Sequence, residues 1–127
     1  MFDFGKKNSQ KQITQKKELR KLVKQKQYDD ALKKASEILQ KTPHENDVLF
    51  IVGGIYYMKN KYKTAISYFD KAMEIATLDT EVLILKANAH YHLGEHKQAI
   101  SCCNKIKEID SKNKAVTELL SKIESVK

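Results

Sequence analysis

The chain has 127 residues, of which 41% are hydrophobic and 31% charged, with a net charge of +8. That balance excludes a disordered chain and suits one domain able to bury a core without metals or disulfides. No apolar run approaches the ~18 residues of a membrane-spanning helix, and Met1-Phe2-Asp3-Phe4-Gly5-Lys6-Lys7 lacks the apolar stretch of a secretory signal. The chain has one proline and four glycines, too few breakers for many short strands. Cys102 and Cys103 are adjacent, so no disulfide framework is expected, which suits a reducing cytoplasm.

In chain order, residues 1–9 read as a flexible tail. A first helix is expected over 10–26, and it is strongly basic. Lys6, Lys7, Lys11, Lys16, Lys17, Arg20, Lys21, Lys24 and Lys26 are opposed within that stretch by Glu18 alone. Residues 1–41 hold 12 Lys/Arg against 5 Asp/Glu, whereas residues 42–127 hold 12 against 11. The excess charge therefore belongs to the first third, and it bears on partners rather than on fold. Helices follow over 28–41, 45–59, 62–76, 80–93, 96–109 and 113–126. Apolar residues at three and four residue spacing carry these assignments, as in Tyr62, Ala65, Ile66, Phe69, Ala72 and Met73. Pro43 fits the linker before the third helix, and Asp79-Thr80-Glu81 supplies a cap and an acidic first turn for the fifth. The last helix puts Val116, Leu119, Leu120 and Ile123 on one side and charged residues elsewhere, the pattern of a cap.

Three segments repeat at one spacing: Tyr28-Asp29-Asp30-Ala31-Leu32, Tyr62-Lys63-Thr64-Ala65-Ile66 and His96-Lys97-Gln98-Ala99-Ile100. Their alanines, Ala31, Ala65 and Ala99, stand 34 residues apart each time. An identical period without insertion marks a solenoid of two-helix units.

The pattern resembles the tetratricopeptide repeat, and the second unit matches it best. There Leu49, Val52, Gly53, Tyr56, Ala65, Phe69 and Ala72 fall at the family's alternating large and small places. The third unit follows more loosely with Leu83, Lys86, Ala87, His90, Ala99, Cys103 and Ile106, and the first, most loosely, with Leu19, Leu22, Ala31, Ala35, Ile38 and Pro43. The resemblance implies an all-α, right-handed superhelix of about seven antiparallel helices. Its repeats would lie near 12–45, 46–79 and 80–113, closed by a capping helix near 113–126, so that 10–127 forms one domain.

The same resemblance implies a concave groove lined by the first helix of each unit. Its residues would be Phe50, Gly54, Tyr57, Met58, Ile84, Asn88, Tyr91 and His92, an apolar and aromatic surface for a partner peptide or helix. The Asn88 amide would be free for the partner's backbone. The carboxylate clamp that grips acidic chaperone tails would need Lys16, Arg20, Ile51, Glu81 and Leu85 to be a set of Lys, Asn and Arg. Only Lys16 agrees, so such tails are not the expected ligand.

Lys16, Lys17, Arg20, Lys21 and Lys24 form a basic surface that could meet nucleic acid or an anionic membrane, or simply solvate a helix face. The absence of aromatics over residues 5–27 weighs against base stacking. Self-association of the solenoid is a further expectation. His90 and His92 point about 200° apart on a helix, which disfavours a metal site. Cys103 is expected in the core and Cys102 nearer the surface. With neither a phosphate loop nor a nucleophile elbow present, no catalysis and no cofactor are expected.

Overall fold

The computed structural model describes the backbone of residues 3–75 and 79–126, and the side chains of residues 10–74 and 79–126. Among the described residues the chain is all helix: α1 (Asp3–Lys24), α2 (Tyr28–Lys41), α3 (Asn46–Met58), α4 (Tyr62–Ile75), α5 (Thr80–His92), α6 (His96–Ile109) and α7 (Lys114–Ser125). Helix α1 begins at Asp3, ahead of the expected start at residue 10. The expected tail over residues 1–9 falls on residues whose side chains lie outside the described set.

Each unit is folded by the same backbone device. The first helix of a unit ends on a residue of left-handed conformation: Lys26 (φ 59°), Asn60 (φ 62°) and Gly94 (φ 75°), one repeat apart. The next amide reaches back to the carbonyl five residues earlier, Gln27 to Leu22 (2.9 Å), Lys61 to Tyr56 (2.8 Å) and Glu95 to His90 (2.9 Å). This is the Schellman closure that satisfies orphaned helix-end carbonyls and reverses the chain. The second helix then starts at once, its first turn closed by Ala31, Ala65 and Ala99 donating to the carbonyls of Gln27, Lys61 and Glu95. Asp79 caps α5 as expected, its carboxylate accepting from the Glu81 amide at 2.9 Å. Asn113 does the same for α7 through the Val116 amide.

Burial follows the repeat. Ala31, Ala65 and Ala99 are fully buried where the two helices of a unit cross. A first core joins α1, α2 and α3 through Leu19, Ala35, Ile38, Val48, Val52 and Ile55. A small one joins α4 to α5 through Phe69 and Val82, and a third joins α5, α6 and α7. Helix α7 closes the last with Val116, Leu119 and Ile123, while Glu118 and Lys122 face outward.

Cys102 corrects the expectation of exposure. It is only 5% accessible, because α6 turns both adjacent thiols into the packing around α5 and α7. Burial pushes both thiols above their usual range, with lysine charges opposing it weakly. Thiol reagent at pH 8 should therefore label neither cysteine at the rate of a free thiol in the native chain, and both in denaturant; fast native labelling of Cys102 would contradict this placement.

The two helices of the second unit approach closely at Gly53. A Cβ there would stand 2.6 Å from the Phe69 ring. Gly53→Ala gains up to ~1 kcal/mol of helix propensity but overpacks at a cost of about 1–3 kcal/mol, so a net loss is expected in urea unfolding. In a Phe69→Leu background the same change should cost less or stabilise. An unchanged cost in both backgrounds would remove Phe69 as its cause.

Candidate functional site

Helix α3 carries the site. Phe50, Gly54 and Tyr57 recur along one stripe of it, with Met58 beside them. They line an apolar cleft of 300 Å³ together with Ile51 and Ile55 of α3, Val23 of α1, Tyr28 of α2 and Leu85 of α5. Four of the expected groove residues are thus brought together. Phe50 leans on Phe69 beneath it, rings 6.0 Å apart. Met58 stands 60% exposed at the rim. The cleft is at the small end of the ~300–1,000 Å³ that ligand pockets occupy, and it has almost no polar lining.

Gly54 forms part of this wall. A Cβ at Gly54 would meet no atom within 4 Å, unlike one at Gly53. Its helical backbone needs no glycine, so no packing or conformational reason for the residue exists.

The other expected groove residues take different places. Ile84 and Tyr91 pack against the α5–α6–α7 core. Asn88 donates one amide N–H to the Ile84 carbonyl at 3.1 Å. His92 stacks on Tyr62, centroids 4.7 Å apart and planes at 12°. Tyr57 meets the edges of both Tyr62 (5.4 Å) and His92 (6.3 Å), and Tyr91 stacks on His96 at 6.0 Å. These rings tie the cleft in the second unit to the turn of the third. Burial raises the Tyr57 phenol above its usual range, and neighbouring Tyr62 adds to the effect.

The residues absent from the sequence-based set are Val23, Tyr28, Ile51, Ile55, Leu85 and Tyr62. The clearest missed signal was the pair Ile51 and Leu85, apolar at matching places 34 residues apart. In the sequence these two places stand out only as positions where a clamp residue is missing.

The basic surface is partly neutralised. Lys16 holds Glu45 at 2.7 Å and Asp47 at 3.1 Å, and Arg20 reaches Asp47 at 3.4 Å. The hydrogen bond to Glu45 lifts the Lys16 ammonium above its usual range, against the cost of its burial. Lys17, Lys21 and Lys24 are exposed. His90 bonds Glu95 at 3.0 Å, so the two histidines have separate partners. Among the described residues no group of three or more His, Cys, Asp or Glu side chains converges, and no helix is long and apolar enough to cross a membrane.

The comparisons with known proteins agree with this architecture. The sequence model of the family described as anaphase-promoting complex, cyclosome, subunit 3 matches residues 24–106 and again 58–122, starts that differ by one repeat. Among solved structures, the first tetratricopeptide domain of Spaghetti (RPAP3) bound to the HSP90 peptide SRMEEVD is 22% identical, with a TM-score of 0.84 over 93% of this chain and 94% of that one. The second such domain of human RPAP3, in complex with the HSP70 peptide SGPTIEEVD, is 18% identical with a TM-score of 0.80 over 88% and 93%. The N-terminal domain of stress-induced protein-1 from C. elegans is 15% identical with a TM-score of 0.77 over 91% and 95%. At such identities the likeness shows the fold. No curated protein sequence matches. The chain belongs to the anaphase-promoting complex, cyclosome, subunit 3 family, which is of tetratricopeptide-repeat type.

Removing the backbone freedom of Gly54 tests whether the cleft wall carries a stability penalty. Gly54→Ala should raise stability by about 0.5–1 kcal/mol in urea unfolding. A loss instead would show a packing role for this glycine.

Proposed function

We propose that this member of the repeat family is a non-enzymatic protein-interaction module whose cleft, walled by Phe50, Gly54, Tyr57 and Met58, takes an apolar anchor side chain of a partner segment. The observation that carries the reading is Gly54. A glycine in mid-helix costs about 0.5–1 kcal/mol relative to alanine, and here it leaves open space at an apolar wall. Space kept at a cost in stability is the signature of a binding surface. Affinity would come from burying the anchor in a preformed cleft, with Met58 adapting to its shape. In this reading residues 10–127 act as one domain in the cytoplasm, with units near 12–45, 46–79 and 80–113, helix α7 as cap, and residues 1–9 outside it. Ile84, Asn88, Tyr91 and His92 would extend the surface for the rest of the segment.

Acidic tails form the second reading. Two structural neighbours hold peptides ending in Glu-Glu-Val-Asp, so the likeness gives no support to setting that ligand class aside. The ion network gives a physical argument instead. Lys16 and Arg20 already engage Glu45 and Asp47, and an incoming carboxylate must displace them. Contact with nucleic acid or an anionic membrane through Lys17, Lys21 and Lys24 has less behind it, since two cations of the same patch are occupied.

The test selects displayed peptides on the wild-type chain and measures them against Gly54→Leu, which fills the cleft with a good helix former. Selected peptides should carry a Leu, Met or aromatic anchor and lose about tenfold or more in affinity, ~1.4 kcal/mol, with helicity retained. Equal binding to both chains would overturn the anchor reading. The SRMEEVD peptide should bind the wild type more weakly than the selected peptides and should gain affinity on Glu45→Gln/Asp47→Asn. Tight wild-type binding of that peptide would favour the acidic-tail reading.

A further inference from the structure

Short connections make successive helices antiparallel, so the turns inside units lie on one rim of the solenoid and the linkers between units on the other. The two rims differ in the sign of their charge. The turns, residues 23–29, 57–63 and 91–97, hold six lysines and two acids, whereas the linkers, residues 41–47, 75–81 and 109–115, hold three lysines and five acids. Both acids of the turn rim are engaged, Asp29 by Lys59 at 2.7 Å and Glu95 by His90 at 3.0 Å. Asp30 follows directly behind the first turn, which places the cationic excess at the second and third. There Lys61, Lys63 and Lys97 are exposed, and among the described residues none has a carboxylate within ion-pair distance.

The same rim collects aromatic rings. Tyr28, Tyr57, Tyr62 and Tyr91 lie on the turns, while the linkers carry neither tyrosine nor phenylalanine. A continuous path of rings runs from the second turn to the third. Tyr62 and His92 stack at 4.7 Å with planes 12° apart, His92 meets Tyr91 at 5.7 Å, and Tyr91 stacks on His96 at 6.0 Å. The Tyr62 hydroxyl donates to Asn60 Oδ1 at 2.9 Å, which holds the ring beside its turn. His92 is exposed and the other three are half-buried, so the path keeps an edge in solvent. The lysines are interleaved with these rings: Lys61 and Lys63 flank Tyr62, and Lys97 follows His96.

We propose that this rim binds single-stranded nucleic acid, with phosphates on Lys61, Lys63 and Lys97 and unpaired bases continuing the Tyr62–His92 stack toward Tyr91. Two requirements select that ligand. Unpaired lysines in a row call for repeated negative charge, and stacked rings call for further flat faces. An acidic peptide meets the first requirement and lacks the second. A duplex carries the phosphates, but its bases stack on one another and offer a protein only their edges. The α1 surface of Lys17, Lys21 and Lys24 presents cations without rings, so it lacks the second half of this chemistry. None of the rim's rings or lysines walls the 300 Å³ concave cleft. Tyr91 and His92 are shared with the surface proposed to extend that cleft, but oligonucleotide binding does not require an anchor in it.

The probe is a fluorescently labelled oligouridylate of about eight nucleotides. It is titrated with the full chain and followed by anisotropy between about 50 and 200 mM salt. Saturable binding is expected, with a log–log salt slope of about −2, as three phosphate contacts on a single strand require. Lys61→Gln/Lys63→Gln should bring the slope to about −0.7 and weaken low-salt binding about tenfold or more. Lys105→Gln/Lys122→Gln, the same loss of charge at exposed lysines of α6 and α7, should change it less than about twofold. His92→Ala, at an exposed site that spares the fold, and Tyr62→Ala, with helicity checked, should each weaken binding about fivefold or more at an unchanged slope. Gly54→Leu should leave the affinity unchanged, and a duplex of the same length should bind at least about fivefold more weakly. No saturation at millimolar oligonucleotide in low salt, an equal loss in the Lys105→Gln/Lys122→Gln chain, or undiminished binding by His92→Ala would each overturn the proposal. Binding of phosphatidylserine vesicles without binding of the oligonucleotide would overturn it as well.

Discussion

The structure depends on how closely the two helices of a unit approach, and that distance is set by one pair of side chains. In the second unit the pair is Gly53 against Phe69, with no room for even a Cβ on the glycine. One repeat earlier the same places hold Leu19 and Ala35, and one repeat later Ala87 and Cys103. Leu19, Ala35, Phe69, Ala87 and Cys103 are all fully buried. Large faces small in the first unit, none faces large in the second, and two small side chains meet in the third. In the first two units the summed volume is held while its division between the helices changes, as close packing favours. The Schellman turns at Lys26, Asn60 and Gly94 recur one repeat apart in all three.

That rule explains which features were legible in the sequence. The period, the seven helices and the Asp79 cap follow from local chemistry, so their ends fall within one or two residues of expectation from α2 onward. The cleft was half legible. Phe50, Gly54, Tyr57 and Met58 share one helix, and helical geometry places them together. Val23, Tyr28 and Leu85 come from three other helices, and their convergence depends on how units rotate against each other. The packing of Ile84 and Tyr91 depends on the same rotation, since both are half-buried against the last core. Cys102 was misplaced because α5 and α7 enclose it in the last core, whereas its repeat partner Tyr68 is only half-buried.

Identical architecture therefore yields unlike surfaces. Lys86 occupies an inward-facing place that is Val52 one unit before, and a cation there needs a partner, which Asp70 supplies. The exchange places an ion pair between α4 and α5 where the preceding unit has Ser36 and Val52. On the concave side, Lys16 and Arg20 bind Glu45 and Asp47 across α1 and α3, making the first-unit end of the groove polar beside an apolar middle. Repetition builds the frame, and departures from repetition create the sites.

The distribution of tyrosines has an optical consequence. The chain has six tyrosines and no tryptophan. Tyr28 and Tyr57 line the concave cleft, Tyr56 and Tyr68 line a second cleft between α2 and α4, and Tyr62 and Tyr91 stand in the ring cluster that joins the second unit to the third. Every intrinsic fluorophore is therefore either at an opening or in contact with the rings beside one. Ultraviolet emission and difference absorbance of the unlabelled protein report on the occupancy of its own clefts, with no indole signal to mask them.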